Sequence, residues 1–382
     1  MIIAFVITGL GQGGAESMLF KLLSGIDRNR FTPHVISLSD AGSWGSRISA
    51  LGIPVHAIGM RPGFPNPWAI WQLSSLLRTI RPSLVHTWMY HADLIGGIAA
   101  RLAGSCALAW CIRHSNLSPG INKRSTLLVV AVCARLSRWL PHRILVCSES
   151  ARQSHIDHGY AAEKMQVIPN GFDLSLFGPN SDARVRVRQE LGLAPGVLLI
   201  GTVGRFHPQK NQLGFIHAMG ILFQRNRNTR FVLIGHQLTR DNVELLRAAK
   251  ENGIEHACYF LGSRNDVPLL MAALDVFVSA SLGEAFPNVL GEAMACAIPC
   301  VATDVGDCAY ILGDTGRVVA PDDALELATA AESLLSMNAE SRLDLGYIAR
   351  SRVEELFEIG FVVSRFEQFY DDLVMQTTLT SG

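Results

Sequence analysis

The chain has 382 residues, of which 49% are hydrophobic and 17% are charged, so it is long enough for two or three domains and is not intrinsically disordered. Its formal net charge is zero, which argues against a general nucleic-acid-binding protein. The charge is unevenly distributed, because residues 1–172 hold 16 of the 33 Lys and Arg but only 7 of the 33 Asp and Glu. All six tryptophans lie in this basic part. They either fill a core or contribute to a surface that contacts anionic lipid or an anionic acceptor.

The cysteines and the N-terminus point to a cytoplasmic protein. The eight cysteines include no CxxC pair and no Cys/His spacing of the zinc-finger type, so we interpret them as reduced, buried thiols. HExxH and Asp-x-Asp motifs are missing, and we therefore predict no metal site. The N-terminus lacks the basic leader of a signal peptide, and the longest apolar run, residues 127–134, is too short to cross a bilayer.

In the first half, short apolar segments alternate with segments of helical periodicity, which predicts a parallel sheet with crossover helices. The predicted strands are residues 2–8, 33–38, 84–87, 107–113 and 144–147, and the predicted helices are residues 15–26, 93–103 and a segment that begins at Ser125. Gly and Pro become frequent between residues 167 and 196, and we place a domain linker at residues 171–196.

The alternation begins again at residue 197. Here the predicted strands are residues 197–204, 231–235, 259–262, 276–279 and 299–303, and a helix is predicted at residues 213–224. The sequence thus predicts two doubly wound α/β domains in tandem, residues 1–170 and 197–360. A separate helical segment, residues 361–376, is expected to pack back on the first domain.

A glycine-rich sequence follows the first predicted strand and reads Gly9-Leu10-Gly11-Gln12-Gly13-Gly14. It fits the G-x-G-x-x-G pattern of dinucleotide-binding proteins, with Asp40 as a candidate ribose ligand. However, Glu16 lies at the mouth of this loop, where its charge would repel a pyrophosphate. A tight strand-to-helix turn explains the glycines equally well, so both interpretations stay open.

Two cations, Arg205 and Lys210, follow a predicted strand of the second half. In open parallel sheets, ligands bind beyond the carboxyl ends of the strands. Arg can bind a phosphate through two hydrogen bonds, and Lys adds a compact positive charge. Each residue alone would be an ordinary loop cation, but together with the two acids described next they indicate a diphosphate site.

Two glutamates, Glu284 and Glu292, lie eight positions apart. The first lies in a loop, and the second lies just over one turn into a helix that we expect to begin at Pro287. The amides of that helix start would point at an anion. Because carboxylates cannot bind phosphate, we assign the two acids to sugar hydroxyls. A solvated helix face is the alternative for Glu292, but its neighbours are mostly apolar.

His114 follows another predicted strand of the first domain. A neutral imidazole there is suited to bond a sugar hydroxyl or to stabilise a developing charge, although a histidine satisfied within its own loop is about equally plausible.

Residues 123–143 mix apolar and basic side chains. This pattern fits either a helix on a membrane surface or a half-buried helix with a basic end.

Taken together, these features resemble the retaining glycosyltransferases of family 4, which have the GT-B fold of two Rossmann-like domains facing a cleft. The resemblance covers nearly the whole chain. Its motifs are GGAE at residues 13–16, HTWMYHADLIGGIAARLAG at residues 86–104, VCSE at residues 146–149, VIPNGFD at residues 167–173, VGRFHPQKN at residues 203–211, EAFPNVLGEAMA at residues 284–295 and PCVA at residues 299–302.

The resemblance implies roles for individual residues. Arg205 and Lys210 would bind the diphosphate of a nucleotide sugar, and Glu284 would bind the donor sugar. Three residues of the helix that follows Glu284 would also bind the donor. Glu292 would bind the ribose, and the other two residues are Asn288 and Val289.

In the first domain, the resemblance implies that Gly13 and Gly14 close over the phosphates and that His114 contacts the sugar. The resemblance implies that four residues are catalytic: His114, Glu284, Arg205 and Lys210. This sequence departs from the family pattern at Ala285, where a glycine is usual.

The sequence therefore predicts a retaining, metal-independent glycosyltransferase without a cofactor. Its expected donor is a UDP-sugar, and its expected acceptor is a saccharide or a polyprenyl-linked saccharide in the synthesis of a surface polysaccharide or glycolipid. We expect it at the inner face of the cell membrane, in contact through its basic first domain. Three alternatives stay open: an NAD(P)-dependent oxidoreductase that uses residues 9–14, a non-catalytic nucleotide-sugar-binding protein and, less favoured, an epimerase.

Overall fold

The computed structural model describes residues 1–11, 13–60, 67–104, 107–117 and 122–381. The chain forms two compact units. The first unit comprises Met1–Gly171 and Ile359–Gly382, and the second comprises Phe172–Glu358. Each has its own parallel sheet and its own hydrophobic core.

The first unit contains a seven-stranded sheet in the order β3-β2-β1-β4-β5-β6-β7, in which all neighbouring strands are parallel. Its elements are β1 (Ile2–Ile7), α1 (Gly14–Gly25), β2 (Thr32–Ser37), α2 (Gly42–Ala50), β3 (Val55–Ala57), α3 (Pro67–Ile80), β4 (Leu84–Trp88), α4 (Tyr90–Ala103), β5 (Ala107–Ile112), α5 (Arg124–Leu136), β6 (Arg143–Val146), α6 (Glu149–Asp157) and β7 (Met165–Val167).

The second unit contains a six-stranded parallel sheet in the order β10-β9-β8-β11-β12-β13. Its elements are α7 (Ser181–Glu190), β8 (Leu198–Val203), α8 (Gln212–Arg225), β9 (Thr229–Ile234), α9 (Val243–Glu251), β10 (Cys258–Gly262), α10 (Val267–Ala272), β11 (Val276–Ser279), α11 (Asn288–Ala295), β12 (Cys300–Thr303), α12 (Cys308–Leu312), β13 (Arg317–Val319), α13 (Ala324–Leu335) and α14 (Ala339–Phe357).

The prediction of two doubly wound parallel sheets is confirmed. In each sheet the strand order reverses direction once, between β1 and β4 in the first unit and between β8 and β11 in the second. Loops that follow these two neighbouring strands leave towards opposite edges of the sheet. They open a crevice at the carboxyl ends of the strands, which is where open α/β sheets bind ligands.

The last helix, α15 (Ile359–Ser381), belongs to the first unit although the whole second unit precedes it in sequence. It buries Val362, Phe366 and Tyr370 in the core on one side of the first sheet. The Tyr370 hydroxyl lies 3.0 Å from Nδ1 of the fully buried His86, and burial lowers the pKa of this histidine well below its usual value. The helix is therefore an integral part of the first hydrophobic core.

Residues 171–196, which the sequence assigns to a linker, are structured differently. The unit boundary falls between Gly171 and Phe172, and Ser181–Glu190 form helix α7 within the second unit. The sequence RVRVRQE is too polar and too poorly amphipathic to indicate this helix. It is held instead by charge, through the contacts of Arg184 and Arg188 with Asp275 at the start of β11.

The tryptophans of the basic part also differ from one another in environment. Trp88 and Trp110 are fully buried in the two cores that flank the first sheet, whereas Trp68, Trp71 and Trp139 are exposed.

The seven cysteines in the described part of the chain are buried thiols. No helix among the described residues combines the length and hydrophobicity needed to cross a bilayer.

Asp275 links three arginines and a backbone amide at the amino end of the second sheet. Its side chain is only 5% exposed and accepts hydrogen bonds from Arg184 at 2.6 Å, from Arg188 at 3.1 Å and from the Leu199 amide at 2.7 Å. Arg342 lies 3.7 Å away. Removing this carboxylate would leave several cations without their common partner.

We expect Asp275→Ala to lower the free energy of unfolding by about 3–5 kcal/mol, because the buried ion-pair network loses the one acid that the described residues supply to it. Urea unfolding should be followed by circular dichroism, since every tryptophan lies in the first unit and would not report on the second. Asp266→Asn is the control, because Asp266 pairs with Arg264 near the surface and should contribute about 1 kcal/mol or less. A loss at position 275 no larger than this control would contradict the expectation.

Candidate functional site

The turn after β8 carries Arg205 and Lys210, the two cations predicted to bind a diphosphate. Gly204 follows β8, a single 3₁₀ turn spans Pro208–Lys210, and α8 begins at Gln212. Asn211 has a left-handed backbone with φ of 49°, and its side chain caps α8 by accepting a hydrogen bond from the Gly214 amide at 3.1 Å. This turn places Arg205 on the surface and leaves Lys210 half-buried.

Lys210 and Glu284 form an ion pair across the point where the strand order reverses. Lys210 follows β8, and Glu284 follows the neighbouring strand β11. Their side chains are 26% and 11% exposed. The main chains of the same two loops are joined as well, because the Leu282 amide donates to the Gln209 carbonyl at 2.7 Å. Two side chains 74 residues apart in sequence are thereby held in one place.

Two hydroxyl groups hold the loop that carries the Glu284 carboxylate. Ser281 Oγ donates to Glu284 Oε1 at 2.8 Å, and Thr303 Oγ1, at the end of β12, donates to the Ser281 carbonyl at 2.5 Å. The loop after β12 supports the same segment, since the Asp307 amide donates to the Ala285 carbonyl at 3.1 Å. Glu284 therefore has a fixed position on the carboxyl edge of the sheet.

Gly306 packs directly under this loop. Its φ of +58° lies in the left-handed region, and a Cβ atom there would stand 2.4 Å from the Glu284 carbonyl oxygen. Only glycine satisfies both conditions without moving the chain. Ser281, Thr303 and Gly306 were not among the residues predicted from the sequence. A glycine three residues after a buried strand was the single available signal for this close approach.

Glu292 lies in the second turn of α11 and is half-buried. The helix begins at Asn288, one residue later than predicted, because Pro287 has an extended backbone with ψ of 95° and serves as the N-cap. Phe172 supports the helix from behind, since a Cβ on Gly291 would lie 2.1 Å from its ring. The start of α11, with Asn288 and Val289, thus lies at the same edge of the sheet as Glu284.

The charges near Arg205 favour an anion. Among the described residues, Arg205 has no acidic side chain within 4 Å, and Lys210 has one, Glu284. His207 lies between the two cations, and its Nδ1 accepts a hydrogen bond from the Gln209 amide at 3.2 Å. Partial burial and then the charges of Arg205 and Lys210 lower the pKa of His207. With respect to the described residues, the loop therefore presents one guanidinium without an acidic partner, one paired ammonium and a neutral imidazole.

In the first unit, the glycine-rich loop follows β1 and leads into α1. Gln12 lies outside the described residues. Glu16 folds back over the helix start, where its Oε2 lies 2.3 Å from the position of a Cβ on Gly13. Burial raises the pKa of Glu16, and a hydrogen bond from its own backbone amide partly offsets this effect. The Glu16 carboxyl group therefore lies over the start of α1.

His114 lies in the first unit just after β5 and is half-buried. The neighbouring Arg113 was not singled out by the sequence, yet it donates to Asn170 Oδ1 at 2.7 Å and lies over the Trp88 ring at 4.7 Å. These contacts fix the backbone that carries His114 at the carboxyl edge of the first sheet. Of the predicted site residues, Gly13, Gly14 and His114 belong to the first unit, and all the others belong to the second.

Two family models match the chain. Residues 12–176 match the model described as Glycosyltransferase Family 4, and residues 197–337 match the model described as Glycosyl transferases group 1. The two matches cover Gly13 and Gly14, the Arg205 and Lys210 turn, and both glutamates.

The chain belongs to the group 1 glycosyltransferases of family 4.

Similar proteins agree with this assignment. This family 4 glycosyltransferase is 29% identical over 313 residues to the Bacillus subtilis protein EpsF, named as a glycosyltransferase, and the match covers 78% of each chain. It is 30% identical over 241 residues to UDP-Gal:alpha-D-GlcNAc-diphosphoundecaprenol alpha-1,3-galactosyltransferase of Escherichia coli. That second match spans 61% of this chain and 60% of the relative.

A solved structure is similar over nearly the full length. The crystal structure of Anabaena Alr3699/HepE in complex with UDP and glucose superposes with a TM-score of 0.84 at 25% identity, covering 97% of this chain and 99% of that one. The predicted GT-B fold is confirmed, and so is the prediction that the protein is an enzyme that transfers a glycosyl group. The roles of individual residues stay predictions.

Gly306→Ala should displace the Glu284 loop and lower the free energy of unfolding. Gly192→Ala is a matched control, because Gly192 has a similar φ of +65° but no atom within 4 Å of a new Cβ. We expect about 1–2 kcal/mol of backbone strain at either position. The clash at position 306 should add about 1–3 kcal/mol. Urea unfolding followed by circular dichroism measures both, and equal losses in the two variants would show that Gly306 does not support the loop.

Proposed function

We propose that this family 4 glycosyltransferase moves a sugar from a UDP-sugar to a lipid-linked saccharide in the synthesis of a surface polysaccharide or glycolipid. The observation that carries the proposal is the Lys210–Glu284 pair at the strand reversal of the second sheet, with Arg205 beside it. This site offers positive charge for a diphosphate and a fixed carboxylate for sugar hydroxyls within one group of loops. Both parts of a nucleotide sugar therefore have suitable partners.

The chemistry follows from where negative charge develops. As the bond between the sugar and the diphosphate breaks, the leaving group gains negative charge, and fixed cations stabilise it. Arg205 and Lys210 supply those cations, while Asn288 and Val289 present backbone amides at the start of α11. Glu284 binds hydroxyls of the transferred sugar, and Glu292 binds the ribose. We propose that these groups suffice without a metal ion and that the reaction retains the anomeric configuration.

The nucleotide and the acceptor are inferred from similar proteins. Alr3699/HepE was crystallised with UDP and glucose, and the name of the Escherichia coli relative specifies a UDP-galactose donor and a diphosphoundecaprenol-linked acceptor. We extend a UDP-sugar donor and a lipid-linked acceptor to this chain, with catalysis at the inner face of the cell membrane. In the first unit, His114, Gly13 and Gly14 are the residues proposed to contact the sugar and the phosphates.

The alternatives have less support. A dinucleotide cofactor would use the start of α1, but no similar protein described above is named as an oxidoreductase. Saturable binding of NAD(P) that is abolished by a substitution at Gly11 but not at Lys210 would revive that alternative. A binding protein without catalysis is distinguished by sugar transfer itself, as measured below.

We expect Lys210→Ala and Glu284→Ala each to lower sugar transfer about 100-fold or more, because each removes a preorganised charge from the reacting groups. UDP release from a panel of UDP-sugars with a lipid-linked acceptor measures the rate. Thermal-shift screening first selects the donor, since a ligand at 100 times its Kd stabilises the folded protein by about 2.7 kcal/mol.

Arg247→Ala is the control variant for this assay, because Arg247 is an exposed cation on α9 of the same unit. It should retain the full transfer rate. Full activity in Lys210→Ala and Glu284→Ala would refute the assigned site, whereas the absence of transfer from every UDP-sugar would refute the proposed donor.

We also expect transfer to persist in excess EDTA, since positive charge for the leaving diphosphate comes from Arg205, Lys210 and the start of α11. The rate should be measured with and without the chelator, and then with added Mg²⁺ or Mn²⁺. Loss of transfer in EDTA that is restored by either ion would contradict a metal-independent reaction.

A further inference from the structure

We propose that the outer face of helix α5 and of the turn that follows it docks on an anionic phospholipid surface. This inference deepens the proposed function, because it names the surface through which the enzyme would reach a membrane-held acceptor. The face consists of seven residues, called here the α5 face: Arg124, Leu128, Ala131, Val132, Arg135, Arg138 and Trp139.

The helical period places five residues of the α5 face on one side of α5, which ends at Leu136. Successive residues turn by about 100°, so positions 124, 128, 131, 132 and 135 fall within about one third of the circumference. Arg138 and Trp139 lie in the turn that follows the helix and are exposed as well. The opposite side contains Val130, Cys133 and Ala134, which are buried in the core beside the first sheet. The helix is therefore half-buried, and the α5 face is the part that points away from the protein.

The exposed side of a crossover helix is usually polar throughout, but the α5 face also carries exposed apolar side chains. Leu128 is 67% exposed, Trp139 is 71% exposed, and Val132 between them is also exposed. The turn that carries Trp139 is held in place, since Arg101 of α4 donates to the Leu140 carbonyl at 2.7 Å. An apolar row with a tryptophan at its end matches the interfacial zone of a bilayer, where an amphipathic ring is stabilised.

The sequence that carries this row is rich in positive charge. Between Asp93 and Glu149 the sequence contains no Asp or Glu but seven Lys or Arg. Within the described part of the chain, the side chains of Arg124, Arg135 and Arg138 have no acidic group within 4 Å. Unpaired cations that alternate with exposed apolar side chains suit a surface of phosphate headgroups over hydrocarbon.

Charge also argues against other binding partners for the α5 face. A second copy of the chain would place two such faces together, and their like charges would repel each other. An acidic protein would satisfy the cations, but it would not need a tryptophan and a leucine at such high exposure. A negatively charged lipid surface satisfies both features at once.

Vesicle sedimentation tests the proposal with the full-length protein. Vesicles of phosphatidylcholine with about one third phosphatidylglycerol should bind it, and vesicles of phosphatidylcholine alone should bind it much less. Raising the salt concentration should weaken the binding, because screening shortens the reach of the surface charges. Equal binding to both kinds of vesicle, or binding to neither, would overturn the proposal without any variant.

Variants then locate the surface. Arg135→Gln combined with Arg138→Gln should weaken vesicle binding about 30-fold, since each cation near such a surface contributes about five-fold. Leu128→Ser combined with Trp139→Ser should weaken it about 10-fold or more. Both pairs change exposed side chains, so circular dichroism should show unchanged folding.

Matched controls come from the second unit. Arg247→Gln with Arg317→Gln removes two exposed cations, and Val243→Ser with Leu325→Ser removes two exposed apolar side chains. These variants should bind vesicles as the unchanged protein does, and equal losses in controls and α5 variants would overturn the assignment. UDP release with a short, water-soluble acceptor should be unaffected by the α5 variants, which separates a failure of docking from a failure of the proposed transfer.

Discussion

The candidate site depends on one constraint, the reversal of strand order between β8 and β11. Neighbouring parallel strands whose following loops diverge leave their terminal amides and side chains without a covering loop. The chain fills this position with an ion pair, Lys210 and Glu284, and secures the two loops by a direct backbone hydrogen bond. The supporting contacts of Ser281, Thr303 and Gly306 serve to keep that pair at one place and in one orientation.

The two units share this architecture but not its chemistry. The first sheet reverses between β1 and β4, and the loop at that point carries glycines and the carboxylate of Glu16. The second sheet carries cations and a carboxylate at the equivalent point. One topology thus produces two different ligand environments, which is why the G-x-G-x-x-G pattern alone was ambiguous. A strand-to-helix turn needs the glycines in either case, and only the neighbouring charges decide what approaches it.

Much of the fold could be predicted from the sequence, because buried parallel strands are continuous apolar runs. The strand Val276–Ser279 was predicted to the residue, and most other strands to within one or two residues. The prediction failed where side-chain pattern does not determine structure. The edge strand Arg317–Val319 is short and partly exposed, and α7 is held by the distant Asp275.

The site was partly predictable for a similar reason. Lys210 and Glu284 stand out because charged residues after buried strands have few structural roles, but their direct contact spans 74 residues and is not encoded by spacing. The Ser281 hydroxyl and the absence of a side chain at Gly306 support the Glu284 loop through contacts that form only in the folded chain. No local sequence pattern predicts those contacts. Family resemblance supplied the expected roles of Glu292 and His114, which the residues alone left open.

The position of α15 has a consequence for synthesis on the ribosome. The aromatic rings of Phe5 and Phe31 pack against Tyr370, so the residues around β1 cannot complete their packing until α15 has been translated. The second unit lies between these two segments in sequence and has all its own strands and helices before α15 is translated. The nascent N-terminal half therefore stays incompletely packed while the later half matures, and this long interval is when a chaperone would find apolar surface to hold.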